Sequence, residues 1–331
     1  MDKINYFIGI DISKEKFDAV FLFVDNHYEH RQFENSVSGC KAFIKWIDSF
    51  NIPKQNCLFC AEHTGLYVNI LANYLVQLQM NLWLEMSYRI IHSGGLQRGK
   101  TDKIDALRIA LYAKNNADRA IIYQPSKNTL VTISALLKLR EKFIRQKASL
   151  KKTVQEYKTF DPSIAKILTR NQSTTIKGME KDLKKIDNQI DSLVKEDANF
   201  NALYTSITSV PSIGRITALT LICITNEFKK FDNPRKLACY CGVVPFEHSS
   251  GKSIKQKPKV HFMANKQAKQ LLHMCALTAA KNDPELKLYF TRKVAEGKSK
   301  MLVINNIRNK LIHRIYACVK NNRTFIPNIA A

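Results

Sequence analysis

Four acidic residues in the first third of the chain have the types and spacing of a carboxylate cluster. Asp11 and Glu62 each end a short apolar segment. Asp102 and Asp105 lie three residues apart, so they share one face if their segment is helical. Carboxylates gathered in one place repel one another unless a cation lies between them. The spacing therefore predicts a metal site, provided that the fold brings these segments together.

The metal that suits such a site follows from the ligand chemistry. Hard oxygen ligands on a rigid sheet favour Mg²⁺ or Mn²⁺. Two such ions about 3.5–4 Å apart can activate an attacking oxygen and stabilise the leaving oxygen of a phosphodiester. Taken singly, an acid at the end of a strand or helix is more often a solvated residue. Asp11 is the hardest to explain in that way, because it directly follows Phe-Ile-Gly-Ile, where a core residue or a turn former would ordinarily stand.

The elements that must position these acids follow an α/β pattern. Apolar and β-branched segments predict a hairpin and a third strand, and Ser36 is placed to cap the next helix. The apolar segment that ends at Glu62 is typical of a central parallel strand. Alternating helices and strands follow it, the last helix covering residues 101–113. We therefore predict an α/β domain with a mixed sheet over residues 1–127, in which Asp11 and Glu62 emerge at the same edge.

The period changes to heptads in residues 128–206. Four large apolar residues are seven apart, and six more follow 3-4-3-4-3 spacing: Leu136, Phe143, Leu150 and Tyr157, then Ile176, Met179, Leu183, Ile186, Ile190 and Leu193. Asp161-Pro162 breaks the pattern between them. Two long helices around this break predict an antiparallel hairpin or a dimerising coiled coil, with a structural or oligomeric role.

Residues 207–331 predict a mainly α-helical domain. Ser209 to Gly214, followed by Arg215, resembles the hairpin of a helix-hairpin-helix, whose backbone N–H groups bind a DNA phosphate. Gly214 and Arg215 are therefore candidate nucleic-acid-binding residues. A plain helix N-terminus after a proline turn is the alternative. Further along, a loop over residues 242–253 contains two adjacent serines and precedes a basic stretch and two long helices.

The charge favours a polyanionic partner. The chain of 331 residues has 52 Lys and Arg against 28 Asp and Glu, a net charge of +24. Residues 248–331 carry 17 basic and 3 acidic side chains, whereas residues 1–126 carry 14 and 13. A neutral domain that holds carboxylates and a basic one that holds phosphates would divide the work of a nucleic-acid enzyme. A lysine-rich solubilising surface is the alternative.

Several classes of protein are disfavoured. No stretch of 18 apolar residues is present and the first residues lack a signal-peptide pattern, so we expect a cytoplasmic protein without a membrane partner. Eight cysteines in a chain of this size predict reduced thiols. Two close pairs, Cys57 with Cys60 and Cys239 with Cys241, could form a zinc site. Their apolar surroundings favour buried small hydrophobic residues instead.

Five motifs, in order and spacing, resemble those of the DEDD transposases of insertion-sequence family 110. They are Ile8-Gly-Ile-Asp-Ile-Ser-Lys14, Ala61-Glu-His-Thr-Gly65, Lys100-Thr-Asp-Lys-Ile-Asp-Ala106, Gly242-Val-Val-Pro245 and His248-Ser-Ser-Gly-Lys252. The resemblance runs nearly end to end. It implies a RuvC-like domain of RNase H fold, a coiled coil and a C-terminal transposase domain with a nucleophilic serine. It also implies Mg²⁺, DNA recombination in a bacterial, nucleoid-associated setting, guidance by a structured bridge RNA, and a dimer or tetramer.

The resemblance assigns roles to individual residues. Asp11, Glu62, Asp102 and Asp105 correspond by position to the catalytic metal ligands, and the serine before Gly251 to the nucleophile. We favour Ser250 over Ser249, because Gly251 lets the backbone approach a phosphate and Lys252 can neutralise it. Without the resemblance, a solvated loop serine would be the ordinary interpretation, since no His–Asp spacing that could activate it is evident.

The sequence therefore predicts a DNA transposase or recombinase that cleaves and rejoins strands of an insertion sequence. Its composite site would combine metal carboxylates with a serine, and the family resemblance implies that an RNA guides it. One alternative is a RuvC-type metal-dependent endonuclease without a covalent serine intermediate. Another is a basic nucleic-acid scaffold with a decayed active site, against which the presence of all four acids and the Ser-Gly-Lys loop argues.

Overall fold

The computed structural model describes residues 4–94, 99, 101–250 and 254–327, without the side chains of residues 247–250 and 254–257. The chain divides into two compact units, with the boundary between Pro125 and Ser126. The region predicted as a separate coiled coil, 128–206, lies in the second unit together with residues 207–331. Each unit is described by itself below.

The first unit is a five-stranded mixed sheet with helices on both faces. Its elements are β1 (Tyr6–Ile12), β2 (Lys16–Leu22), β3 (Tyr28–Glu34), α1 (Val37–Asp48), β4 (Cys57–Glu62), α2 (Asn69–Gln77), β5 (Leu82–Glu85), α3 (Ser87–Ser93) and α4 (Asp102–Asn115). The strand order is β3-β2-β1-β4-β5. Strand β2 is antiparallel to both of its neighbours, while β4 is parallel to β1 and β5. The predicted mixed sheet is confirmed, and it is consistent with a RuvC-like domain.

Both faces of the sheet are covered, which explains why its central strands are apolar throughout. Ile8 and Ile10 of β1 pack with Phe43 of α1 and Leu71 of α2 in one buried cluster. Phe7 and the other residues of the alternate face pack against α3 and α4 in a second cluster. The side-chain period of two in a strand separates the two sets. Helix α1 begins where the sequence predicted, since the Ser36 side chain accepts a hydrogen bond from the Gly39 backbone N–H at 3.1 Å.

Gly9 allows α4 to lie directly on β1. A Cβ atom at this position would be 2.1 Å from the carbonyl oxygen of Ala106 and 2.3 Å from the backbone nitrogen of Ala110. These are backbone atoms, so no side-chain rotation can make room. The contact therefore fixes the distance between strand β1 and the helix that carries Asp102 and Asp105.

Gly9→Ala should destabilise the first unit by about 3 kcal/mol or more, because the added methyl group must push α4 away from β1. Calorimetric unfolding of the full-length protein measures the loss. The matched control is Gly178→Ala in the second unit, at an exposed helical position where a Cβ meets nothing within 4 Å. Alanine there should stabilise the helix by up to about 1 kcal/mol. Equal effects of the two substitutions would contradict the close packing at Gly9.

The second unit consists mainly of helices. Its elements are α5 (Asn128–Phe160), α6 (Pro162–Glu196), α7 (Ala198–Thr208), α8 (Arg215–Thr225), α9 (Pro234–Tyr240), β6 (Phe246–Ser250), β7 (Ile254–Lys259), α10 (Lys266–Asn282), α11 (Pro284–Ala295) and α12 (Lys300–Lys320). One buried cluster joins residues from α5 and α6 to residues from α7, α8, α9, α10 and α12. The mainly α-helical C-terminal region is therefore confirmed.

Helices α5 and α6 form an antiparallel hairpin within the chain. Asp161 caps α6 by accepting hydrogen bonds from the backbone N–H groups of Ser163 and Ile164. Ion pairs Arg140–Asp187 at 2.9 Å and Lys147–Glu180 at 3.4 Å join the two helices, residue numbers rising on one as they fall on the other. Of the two predicted arrangements, the chain itself adopts the hairpin. A coiled coil between chains stays a prediction.

The predicted heptad residues of α5 and α6 are buried at one end of the hairpin only. Ile186 and Ile190 lie in the core of the second unit, next to Leu137. Leu183 is half-buried, and Tyr157 is exposed near the connection between the helices. The apolar residues near the base of the hairpin therefore serve the fold of this unit.

Some elements differ from those expected. Residues 246–259, predicted as part of a loop and a basic stretch, include the antiparallel strand pair β6–β7. The sequence of β7, Ile-Lys-Gln-Lys-Pro-Lys, lacks the β-branched and aromatic residues that make a strand recognisable. The predicted heptad region runs to residue 206, whereas α6 ends at Glu196 and Asp197 caps a new helix, α7.

The cysteine pairs behave as buried apolar residues. Cys57 lies in the cluster on one face of the sheet and Cys60 in the cluster on the other, so the two thiols cannot bind the same ion. Burial raises the pKa of Cys57 to about 11. Among the described residues, every cysteine is a free thiol. Within the same part of the chain, we find no helix of the length and hydropathy that a membrane span requires.

Candidate active site

A row of polar residues crosses the sheet at the level of Asp11. Asp11 lies opposite Asp18 in the β1–β2 pairing, and Asp18 lies opposite Gln32 in the β2–β3 pairing. On the other side of β1, Glu62 follows the last β1–β4 pair and lies opposite Glu85 of β5. Four acids on four neighbouring strands thus lie side by side, where the sequence placed two.

Helix α4 brings two further carboxylates to the row. The Thr101 side chain caps the helix by accepting a hydrogen bond from the Ile104 backbone N–H at 3.3 Å. Asp102 and Asp105 lie in the first turn, where the positive end of the helix dipole stabilises negative charge. Since Gly9 seats this helix on β1, its N-terminal turn lies beside the strand that carries Asp11.

Basic and hydroxyl side chains contact three of the predicted acids. Lys16 Nζ is 2.9 Å from Asp102 Oδ2, and Arg108 Nη1 is 2.8 Å from Asp105 Oδ1. The Ser87 hydroxyl donates a hydrogen bond to Glu62 Oε2 at 2.8 Å. Part of the negative charge is therefore balanced by side chains of the protein itself.

Asp11 is the acid at which burial and repulsion from its neighbours most disfavour the negative charge. Burial, followed by the charges of Glu62, Asp105 and Asp102, raises the pKa of Asp11 from its ordinary 3.8 to about 6. The other three predicted acids are thus close enough to Asp11 to act on it. This is the electrostatic signature expected of carboxylates that converge on one place.

The carboxylates are not arranged as a closed metal shell. Among the residues that the structure describes, no three His, Cys, Asp or Glu side chains are placed to hold a metal ion together. The donor set nevertheless suits a hard divalent cation, because it consists of carboxylate oxygens whose mutual repulsion such an ion would relieve. Asp102 and Asp105 form ion pairs with Lys16 and Arg108 instead.

Two acids of the row, Asp18 and Glu85, are absent from the set proposed from the sequence. Asp18 is 3% exposed and accepts hydrogen bonds from His30 at 2.8 Å and Gln32 at 3.0 Å. Glu85 is 5% exposed and accepts a hydrogen bond from the Tyr112 hydroxyl at 3.1 Å. The signal that could have revealed Asp18 is the one used for Asp11, a lone acid within an apolar strand.

A cleft of about 460 Å³ opens beside the cluster. Glu62 and Asp105 line one part of it, and Ile91, Leu111 and Asn116 line another. The cleft gives these two carboxylates access to solvent on the side of α3 and α4.

The predicted serine lies on strand β6, which pairs with β7 in the second unit. Ser250 is the last residue of β6 and pairs with Ile254 of β7. Ser249 precedes it in the same strand and pairs with Lys255. Gly251 and Lys252 lie outside the described residues. The assignment of Ser250 as the nucleophile therefore rests on the sequence motif.

Residues Gly214 and Arg215 begin helix α8, as predicted. Ser212, which stands where a hairpin of this kind often has glycine, has a φ of +71° in the left-handed region. A Cβ at Gly214 would meet nothing within 4 Å. The guanidinium of Arg215 forms ion pairs at 2.8 Å with both Asp187 and Asp191 of α6, and so joins α8 to α6. The role of Arg215 in nucleic-acid binding stays a prediction.

Comparison with known proteins adds evidence from both units. A family model of DEDD transposases of the IS110 type, described as "Transposase", matches residues 8–157. A second model, described as "Transposase IS116/IS110/IS902 family", matches residues 204–291. The first match contains the four predicted acids, and the second contains Gly214 and both candidate serines.

Individual relatives agree with these matches. The pilin gene-inverting protein of Moraxella lacunata is 28% identical over 328 residues, which cover 98% of each chain. The transposase for insertion sequence element IS1111A of Coxiella burnetii is 25% identical over 178 residues, 47% of this chain and 48% of that one. With two family models on separate parts of the sequence and a relative aligned from end to end, the chain belongs to the IS110 family of DEDD transposases.

Proposed function

We propose that this protein cleaves and rejoins DNA strands of an insertion sequence, using metal-bound carboxylates and a serine in the same reaction. The observation that carries the proposal is the convergence of Glu62, Asp102 and Asp105 on Asp11, where burial and the charges of these acids raise the pKa of Asp11. Structural carboxylates are ordinarily paired or solvated singly rather than gathered in a group whose charges are only partly balanced by basic side chains. Membership of a transposase family gives this arrangement a DNA substrate.

In this proposal, Asp11, Glu62, Asp102 and Asp105 hold Mg²⁺ or Mn²⁺. The metal would supply charge stabilisation for the phosphodiester undergoing displacement. Asp11 and Glu62 are fixed by the sheet, while Asp102 and Asp105 come from the N-terminal turn of α4. The chain thus provides two rigid ligands and two on a helix whose seat on the sheet is set by Gly9.

Ser250 is the proposed nucleophile. Its Oγ would replace one ester oxygen at phosphorus, forming a phosphoserine linkage while a deoxyribose hydroxyl leaves. Attack of a second DNA hydroxyl on that linkage would restore the serine and join the new strands. Gly251 would let the backbone approach the phosphate closely, and Lys252 would neutralise the charge of that phosphate.

Nucleic acid binding is proposed for the basic second unit. Residues 248–331 carry 17 basic and 3 acidic side chains, enough for several phosphate contacts. The start of α8 at Gly214 is a candidate phosphate-binding position through its backbone N–H groups. A structured RNA from the element is the proposed guide, and a dimer or tetramer the proposed assembly. Both follow from the family resemblance.

A second candidate is inversion of a DNA segment. Relatives with full-length similarity include a pilin gene-inverting protein, whereas the IS1111A transposase aligns over about half of each chain. Inversion and transposition require the same cleavage and rejoining and differ in the orientation and location of the sites. The carboxylates and serine serve either outcome.

The test combines purified protein, Mg²⁺, RNA transcribed from the DNA next to the gene, and a supercoiled plasmid that carries the element ends with a target site. Strands rejoined across two DNA sites, detected by sequencing of the new junctions, are expected. Cleavage without joining would instead support the RuvC-type endonuclease. Plasmids with inverted sites distinguish inversion from transposition, and omission of the RNA tests guidance.

A further inference from the structure

Lys16 is placed by the fold at the edge of the carboxylate cluster. It begins β2, directly after the turn that follows Asp11 on β1. The backbone N–H and the hydroxyl of Ser13 both donate hydrogen bonds to the Lys16 carbonyl oxygen, at 2.9 and 2.8 Å. The base of the side chain is therefore held next to the strand that carries Asp11.

The ammonium group of Lys16 lies among acids from three elements. Its Nζ is 2.9 Å from Asp102 Oδ2 of α4 and 3.9 Å from Asp18 Oδ2 of β2. The charge of Asp11 on β1 attracts it as well. The Asp18 carboxylate is 5% exposed and is fixed by His30 and Gln32, so it provides a stationary negative charge.

We propose that Lys16 is the resident counter-cation of this carboxylate cluster and that a divalent metal must displace its ammonium from Asp102 in order to bind. The inference rests on the proposed metal site. An ammonium donating to Asp102 Oδ2 occupies one side of that ligand and repels a second cation brought close to it. Lys16 thus balances the cluster without metal and opposes metal binding.

The second ion pair of the cluster lacks the freedom to act in this way. Arg108 holds Asp105 at 2.8 Å, but its guanidinium also donates to the Gly99 carbonyl oxygen at 2.9 Å, and its side chain is 25% exposed. The Lys16 side chain is 43% exposed and flexible. Lys16 can therefore move into solvent when a metal arrives, whereas Arg108 is anchored.

Lys16→Met tests the proposal, because it removes the charge and keeps most of the side-chain length. Mn²⁺ binding to the full-length protein without DNA is measured by isothermal titration calorimetry. We expect the Kd to fall by about three- to tenfold at low ionic strength, as expected for loss of one nearby positive charge. The difference should shrink in 0.5 M KCl, where the Debye length is about 4 Å. Lys16→Arg should keep the weaker binding of the unmodified protein.

Lys14→Met is the matched control, since Lys14 is an exposed lysine on the same turn, and its affinity should stay unchanged. Equal or weaker Mn²⁺ binding by Lys16→Met, in a protein whose binding depends on Asp11, would overturn the role of Lys16 and leave the metal site intact. If the unmodified protein takes up no Mn²⁺ and Asp11→Asn changes nothing, the metal site itself is wrong and this inference falls with it.

Discussion

Asp11→Asn should lower the rate of Mg²⁺-dependent DNA cleavage by about a thousandfold or more, in a protein that still folds and binds DNA. The amide keeps the shape of the side chain but removes one anionic ligand from the cluster, and metal assistance to phosphoryl transfer is worth several kcal/mol. Cleavage of a labelled DNA duplex measures the rate, and a gel-shift assay measures DNA binding.

The same substitution should raise stability in the absence of metal. Burial, together with the charges of Glu62, Asp105 and Asp102, raises the pKa of Asp11 to about 6, so its ionised form at neutral pH costs stability. A neutral amide removes that repulsion, so the free energy of unfolding in EDTA should increase by about 1–2 kcal/mol. A gain in stability together with a loss of activity excludes general damage to the fold as the cause.

Glu62→Gln, Asp102→Asn and Asp105→Asn extend the test to the other proposed ligands. Each should reduce cleavage sharply. Asp118→Asn is the matched control, because Asp118 lies in the same unit with a side chain 73% exposed and a solvent-exposed partner, Arg119. It should behave as the unmodified protein does. Near-normal cleavage in two of the four cluster variants would refute the metal-ligand assignment.

Ser250→Ala should eliminate any covalent link between protein and DNA and with it strand joining. A serine ester conserves the energy of the broken phosphodiester, and hydrolysis does not. Because the carboxylate cluster is untouched, Mn²⁺ binding should remain that of the unmodified protein. The reaction is trapped with a nicked DNA substrate and denatured, and the modified peptide is identified by mass spectrometry.

Ser249→Ala serves as the neighbouring control and should have a milder effect. A nucleotide linked through its phosphate to Ser249 would reverse the choice between the two serines. Strand joining without an adduct on either residue would assign the chemistry to direct, metal-dependent attack and contradict the serine mechanism.

Much of the first unit could be predicted because its signals are local. Apolar segments of strand length ended at Asp11 and Glu62, and Thr101 and Ser36 are caps that determine where a helix begins. Parallel pairing of β1 and β4 then places the ends of both strands at one edge. The family motifs added which of these acids to consider together.

Other features depend on contacts that the sequence does not display. Asp18 and Glu85 join the row through strand register, which a pattern of apolar residues does not specify across a sheet. Arg215 has the type and position of a phosphate ligand, but the turn of α6 that carries Asp187 and Asp191 lies beside it in the fold. The β6–β7 pair was missed because its lysine-rich strand has little β propensity.

The boundary between Pro125 and Ser126 has a practical meaning for anyone dissecting the protein. The first family match ends at residue 157, nearly at the end of α5. The end of the family match therefore does not coincide with the end of the first folding unit. A truncated chain ending there would keep α5 without α6 and expose Leu130, Ile133 and Leu137, which the second unit buries. A fragment ending at Pro125 retains both apolar clusters of the sheet. It also lacks α5, whose apolar residues would otherwise be exposed and promote aggregation.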